Sequence, residues 1–135
     1  MSKFINFTGG HDIAFYSEEQ CSLDERTKKL VLKEGELPYA TLPCVGCVRA
    51  ARSSTVVKVG ELEGHQINFN KVSYGEPSGL PELLEEGTIY IVSFLALSAI
   101  KAHKGEEYAR HFAIIDGLVT GQDGKPCGCT ALSVG

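Results

Sequence analysis

The sequence holds no apolar run long enough to cross a bilayer, and no basic stretch at its start leads into an apolar one. Neither a membrane span nor a secretory signal is therefore expected, and the cytoplasm is the expected location. Positive charge is also scarce: Lys and Arg total 13 against 17 Asp and Glu, for a net charge of −4. That balance excludes broad binding to duplex nucleic acid and leaves room only for a local basic pocket. No internal repeat and no low-complexity linker divides the 135 residues, so the chain is expected to be one globular domain, 1–135. The motifs of catalysis are missing too. His11, His65, His103 and His111 are scattered, with no H-E-x-x-H spacing, and no nucleophile elbow accompanies Cys129 to make a thiol dyad. Gly60, Gly64, Gly75, Gly79 and Gly87 stand at turns, and none opens a phosphate-cradling loop between a strand and a helix. The expectation is a protein that binds and does not transform, hence not an enzyme.

What is present centres on Gly79 to Lys104, GLPELLEEGTIYIVSFLALSAIKAHK. Thr88 to Val92 is β-branched and aromatic, which suits a strand buried on both faces. After Ser93 the composition turns to Ala, Leu and Lys. Leu97 and Ile100, with Ala96 and Ala99, fall at helical spacing, Ser93 is placed to cap, and Gly105 to stop the helix. One main helix over about 93–104 is expected.

Around that core the chain reads as hairpins. KFINFT and HDIAFY flank Gly9-Gly10, and Val56 to Leu62 and His65 to Tyr74 flank Glu63-Gly64. His111 to Asp116 is a short strand, and Val119 to Leu132 folds around Asp123-Gly124. Residues 17–37 read as an exposed excursion with one helical turn and an edge strand at Leu30 to Leu32. Pro38 to Pro43 is an edge segment, and Pro81 to Leu84 is placed for a helical turn. The fold class is α+β, mostly β: an antiparallel hairpin-rich sheet or partly open barrel with one main helix. Short strands with polar edges often pair between subunits, so a homo-oligomer is expected.

Four cysteines form the sharpest local pattern. Cys44-Val-Gly-Cys47 presents two thiols in one turn, and Cys127-Gly-Cys129 completes a structural zinc site if the fold brings the pairs together. C-x-C is a poorer zinc spacing than C-x-x-C, so ordinary thiols are the expected reading, with no cofactor, and zinc is the alternative. Cys21 reads as a plain thiol, and five cysteines, an odd number, argue against a disulfide framework. Arg49, Arg52 and Lys58 make the densest basic patch, and with Arg110 and His111 they offer charge-assisted contacts to a phosphate. Tyr74, Tyr90, Tyr108 and Phe69 are candidates to stack on a base, though aromatics at strand spacing usually belong to a core. A solvated basic strip is the plainer reading of the arginines.

Three stretches resemble a family of small, mostly uncharacterised proteins found in phage, prophage and bacterial genomes. Ile5-Asn6-Phe7-Thr8-Gly9-Gly10-His11 is similar to its L-N-L-T-P-H opening, with one residue more where the proline would stand. Tyr74-Gly75, Gly79-Leu80-Pro81 and Gly87-Thr-Ile-Tyr-Ile-Val-Ser93 resemble its F-G-x-x-x-G-L-P and G-T-x-Y-I-V-S middle, and Asp123-Gly124 with Gly128-Cys129 its closing hairpin. The likeness spans nearly the whole chain but consists of fold-forming residues, and Cys44, Cys47 and Cys127 depart from it. Genomes of this kind are rich in anti-defence proteins. The resemblance therefore implies an oligomeric sponge in the host cytoplasm that sequesters a nucleotide-derived immune signal, a cyclic oligonucleotide or an ADP-ribose derivative, without cleaving it. The residues leave two alternatives: a protein-binding or virion-associated module, and a small zinc-stabilised binding domain.

Overall fold

The computed structural model describes residues 3–134. Ten strands run in chain order: β1 Lys3–Asn6, β2 Ile13–Phe15, β3 Cys21–Asp24, β4 Lys29–Leu32, β5 Ala40–Leu42, β6 Arg52–Leu62, β7 His65–Tyr74, β8 Thr88–Ile91, β9 Phe112–Thr120 and β10 Pro126–Val134. Two helices, α1 Phe94–Lys104 and α2 Glu106–Ala109, separate β8 from β9. Eight strands form one sheet along the path β1-β8-β9-β10-β2-β5, with β3 paired to β4 and β4 to the far end of β9. The path nearly closes on itself, because Asn6 at the end of β1 bridges Cys44, two residues beyond β5. The α+β, mostly β, barrel-like class with one main helix is thus the observed one. β6 and β7 stand apart as a two-stranded sheet.

β8 has both faces buried because it is enclosed twice. Ile91 points into the barrel with Ile13 and Cys129, whereas Tyr90 and Val92 join Ala96, Leu97, Ile100 and Phe112 in the core beneath α1. The helix follows its sequence signals. Ser93 Oγ accepts from the Ala96 N–H at 3.2 Å, Ala96, Leu97, Ala99 and Ile100 are the buried face, and Gly105 ends it at φ 88. A third cluster, Tyr16, Cys21 and Val119, sits where the β3–β4 hairpin joins β9.

Three local expectations are corrected. β1 and β2 do not form a hairpin around Gly9-Gly10: β1 pairs in parallel with β8, and β2 in parallel with β10 and antiparallel with β5. Gly9 instead lets the chain pass against Cys47, where a Cβ would lie 2.1 Å from Sγ. Residues 17–37 hold a 3-10 turn at Glu18–Gln20 and two strands, where one was expected. Pro81 to Leu84 forms bends without helix, and the Tyr90 hydroxyl donates to the Leu83 carbonyl there.

The Glu63-Gly64 turn is as expected. Both residues have positive φ, 49 and 81, and Leu62 faces His65 directly across it, which matches the twist of a two-residue hairpin turn. The ribbon it closes, β6 with β7, is exposed at every residue except Gly60 and Tyr74.

Candidate functional site

The helical segment bends back on itself at Gly105, and that bend makes a cleft. Lys101 from the last turn of α1, Glu106, Glu107 and Ala109 from α2, Arg110 and Val134 at the end of β10 enclose about 580 Å³. The positive φ of Gly105 breaks the helix without a Cβ to obstruct the reversal. The Arg110 N–H then donates to the Glu106 carbonyl at 3.1 Å, so α2 holds its shape although it is a single turn. Below it, Tyr108 stacks on Phe112 at 5.5 Å, and Phe112 is wholly buried. That stack anchors α2, which carries Glu106 and Glu107, to the core.

Two cations and two carboxylates around one hollow give the cleft a mixed character. Lys101 and Arg110 supply donors that suit phosphate oxygens, with Arg110 able to bind in a two-pronged manner. Glu106 and Glu107 supply acceptors that suit hydroxyl groups. The volume falls within the range of small-ligand sites.

A second hollow of about 300 Å³ lies across the barrel wall, lined by Phe4, Phe15, Tyr39, Leu42 and Leu132. Its lining is apolar, with the Phe15 and Tyr39 rings 6.5 Å apart. Apart from Thr130 and the Tyr39 hydroxyl it carries no polar side chain and no cation, so it suits an apolar side chain better than a phosphate.

The residues singled out from sequence are scattered over this frame. Arg110 lines the cleft, and His111 follows it in the chain, half-buried. Arg52 and Tyr74 face each other across the base of the ribbon, and the Tyr74 carbonyl lies 2.6 Å from His103 Nε2. Arg49 is exposed on the preceding segment, its Nε donating to Cys47 Sγ at 3.4 Å. Lys58 is out on the ribbon with its Nζ 5.6 Å from the centre of the Phe69 ring. Tyr90 is corrected from candidate to core: it is 4% exposed and stacked on Phe7 at 5.4 Å, so no face is open to a base. No single pocket gathers the seven. Lys101, Glu106 and Glu107 were missed because charges in the last turn of one helix and the first turn of the next normally face water. The signal was the acidic pair directly after the Gly105 stop.

The cysteine pairs do not meet in a zinc site. Cys44 Sγ donates to the Gly46 carbonyl, Cys47 accepts from Arg49, Cys127 donates to the Val119 carbonyl and Cys129 reaches the Ala14 carbonyl. Among the described residues no three of His, Cys, Asp and Glu are grouped to hold a metal ion. All five cysteines are free. Cys127 packs with Tyr16 and Cys21, whereas Cys129 faces the barrel interior with Ile91.

Burial leaves a titration signature. It pushes the thiols of Cys129 and Cys21 up from the ordinary 9.0, with Cys127 adding to the rise at Cys21. It raises the phenols of Tyr16 and Tyr108 from 10.0 in the same way. With folded values above unfolded ones, the folded state holds more protons once the unfolded chain begins to ionise. Stability from these groups is thus complete below about pH 9 and lost as the pH rises through the raised values. The melting temperature, measured at stepped pH, is expected to fall progressively on the alkaline side; a constant value there would contradict this burial.

Comparison of the chain with protein-family models, curated proteins and solved structures finds no match in any of the three. Among the described residues no helix is long and apolar enough to cross a membrane.

Proposed function

We propose that this chain is a non-catalytic binding protein that captures a small anionic, nucleotide-type ligand in the cleft between α1 and α2. The observation that carries the reading is the pairing of Lys101 and Arg110 with Glu106 and Glu107 around one hollow of about 580 Å³. Lys101 and Arg110 meet phosphate oxygens, and the glutamates meet ribose hydroxyls. The resemblance to phage-encoded proteins adds the biological sense: sequestration of a nucleotide-derived immune signal in the host cytoplasm. Calorimetry with cyclic oligonucleotides and ADP-ribose derivatives tests it. One member of the panel is expected to bind and to be recovered intact by chromatography. Arg110→Ala is expected to weaken it by about tenfold or more, since a hydrogen bond to a charged group is worth about 1.5–3 kcal/mol. Silence across the panel with an unchanged melting temperature, or conversion of the ligand, would remove the proposal.

A second reading is favoured by the ribbon. A protein-binding module needs an uncovered apolar surface, and Val57, Val59 and Leu62 are each more than half exposed. The two readings concern different surfaces and are compatible.

A further inference from the structure

The ribbon of β6 and β7 leaves the barrel with water on both sides, an arrangement that a two-stranded hairpin seldom sustains alone. Its seven large apolar side chains, Val56, Val57, Val59, Leu62, Ile67, Phe69 and Val72, are between 36% and 62% exposed. That leaves on the order of 600 Å² of apolar surface uncovered over the two faces of one arm, more than single scattered side chains expose.

The register divides these side chains between two faces. Lys58 opposes Phe69, Gly60 opposes Ile67 and Leu62 opposes His65, which places Leu62, Ile67 and Phe69 together on one face near the tip. The other face carries Arg52 beside Tyr74 at the base, Val72 and Val56 in the middle, then Val59, and Glu61 beside Gln66 at the tip. A register shift between Val56 and Lys58 leaves Val57 without a cross-strand partner. Along this second face the charge runs from positive at the base to negative at the tip, with the valines between them facing Ser54, Asn70 and Asn68 across the two strands.

Such an order is its own complement under a two-fold rotation. Two arms laid antiparallel place Val56 against Val56 at the centre and bring each Glu61 to the partner's Arg52. Laid parallel, they would put like charges together. The antiparallel arrangement also carries each tip, with Leu62, Ile67 and Phe69, past the ribbon base of the other copy to its barrel. We infer that the ribbon is an assembly arm whose occupant is a second copy of this chain, paired antiparallel through the valine face about a two-fold axis. The pairing is isologous, so each protomer gives and receives the same contacts.

The test is sedimentation equilibrium of the full chain with its charge-reversed variants. The wild-type chain is expected to sediment as a dimer. Val59→Asp is expected to be monomeric with an unchanged circular dichroism spectrum, because its site is exposed and outside the barrel. Arg52→Glu and Glu61→Arg are each expected to weaken the dimer roughly tenfold or more, because each sets like charges face to face twice. Mixing the two variants restores pairing, since each then meets an opposite charge at both ends; combining both changes in one chain does the same. A wild-type monomer at all concentrations overturns the inference. So does a dimer that survives Val59→Asp, or a pair of reversals that mixing does not rescue.

Discussion

Phe112→Ala is expected to cost about 3–5 kcal/mol, a large share of the stability of a domain this size. The ring is fully buried where three layers meet. Tyr90 of β8 packs on it at 5.6 Å and Tyr108 from α2 at 5.5 Å, and the buried face of α1 completes the same cluster. Backbone bonds hold the surroundings in place: the Tyr90 N–H donates to the His111 carbonyl and the Val92 N–H to that of Ala113. The cavity therefore cannot collapse cheaply, and the cost should lie toward the upper end of that range. Urea unfolding measures it as a drop in midpoint at constant slope. Phe112→Leu, which keeps most of the volume, should fold at a smaller cost. A stability loss under 1 kcal/mol for the alanine variant would contradict the described core.

The parts of the fold legible in the sequence are those with local chemistry. Ser93, the 97/100 spacing and Gly105 each leave a mark within a few residues of the helix they define, and Glu63-Gly64 marks the turn of the ribbon just as locally. The barrel is different, since its closure depends on parallel pairs. β1 lies on β8, β2 on β10 and β4 on β9, partners far apart in sequence and joined by no turn. A double glycine between two strand-like runs is a strong hairpin signal. Here the tertiary structure overrides it, because Gly9 is needed for close approach to Cys47.

The site divides in the same way. Arg110 is legible as part of a basic strip, but Lys101, Glu106 and Glu107 become one site only after the chain reverses at Gly105. The ribbon's exposure was equally hidden. Val56 to Leu62 reads as one strand of a hairpin whatever covers it, and no part of the barrel covers either face. Composition cannot distinguish a strand that awaits a partner from one already packed.

Asn6→Ala is the second change expected to have a large effect, and it acts on the seam of the barrel. Asn6 is 1% exposed although it sits in a strand whose Phe4 is 43% exposed, an inversion of the usual order. Its amide explains this. Nδ2 donates to the carbonyls of His11 at 2.9 Å and Leu42 at 3.1 Å, while Oδ1 accepts from the Thr8 N–H at 3.0 Å and the Thr8 hydroxyl at 2.7 Å. One side chain thus ties the end of β1 to the loop before β2 and to the end of β5, where the sheet path closes. Truncation leaves those four groups unmatched, each costing about 1–3 kcal/mol when buried; His11 is exposed and Thr8 half-buried, so water recovers part of that and a total of about 3 kcal/mol is expected. The loss should be local before it is global. The Val45 and Val48 amides, which donate to the carbonyls of Asn6 and Phe7, should lose protection from hydrogen exchange ahead of those in α1. Asn6→Asp keeps the shape but turns a donor toward the two carbonyls into a carboxylate, and it should be at least as damaging at neutral pH. If exchange instead accelerates evenly over the whole domain, Asn6 is only a core residue and the seam is held elsewhere.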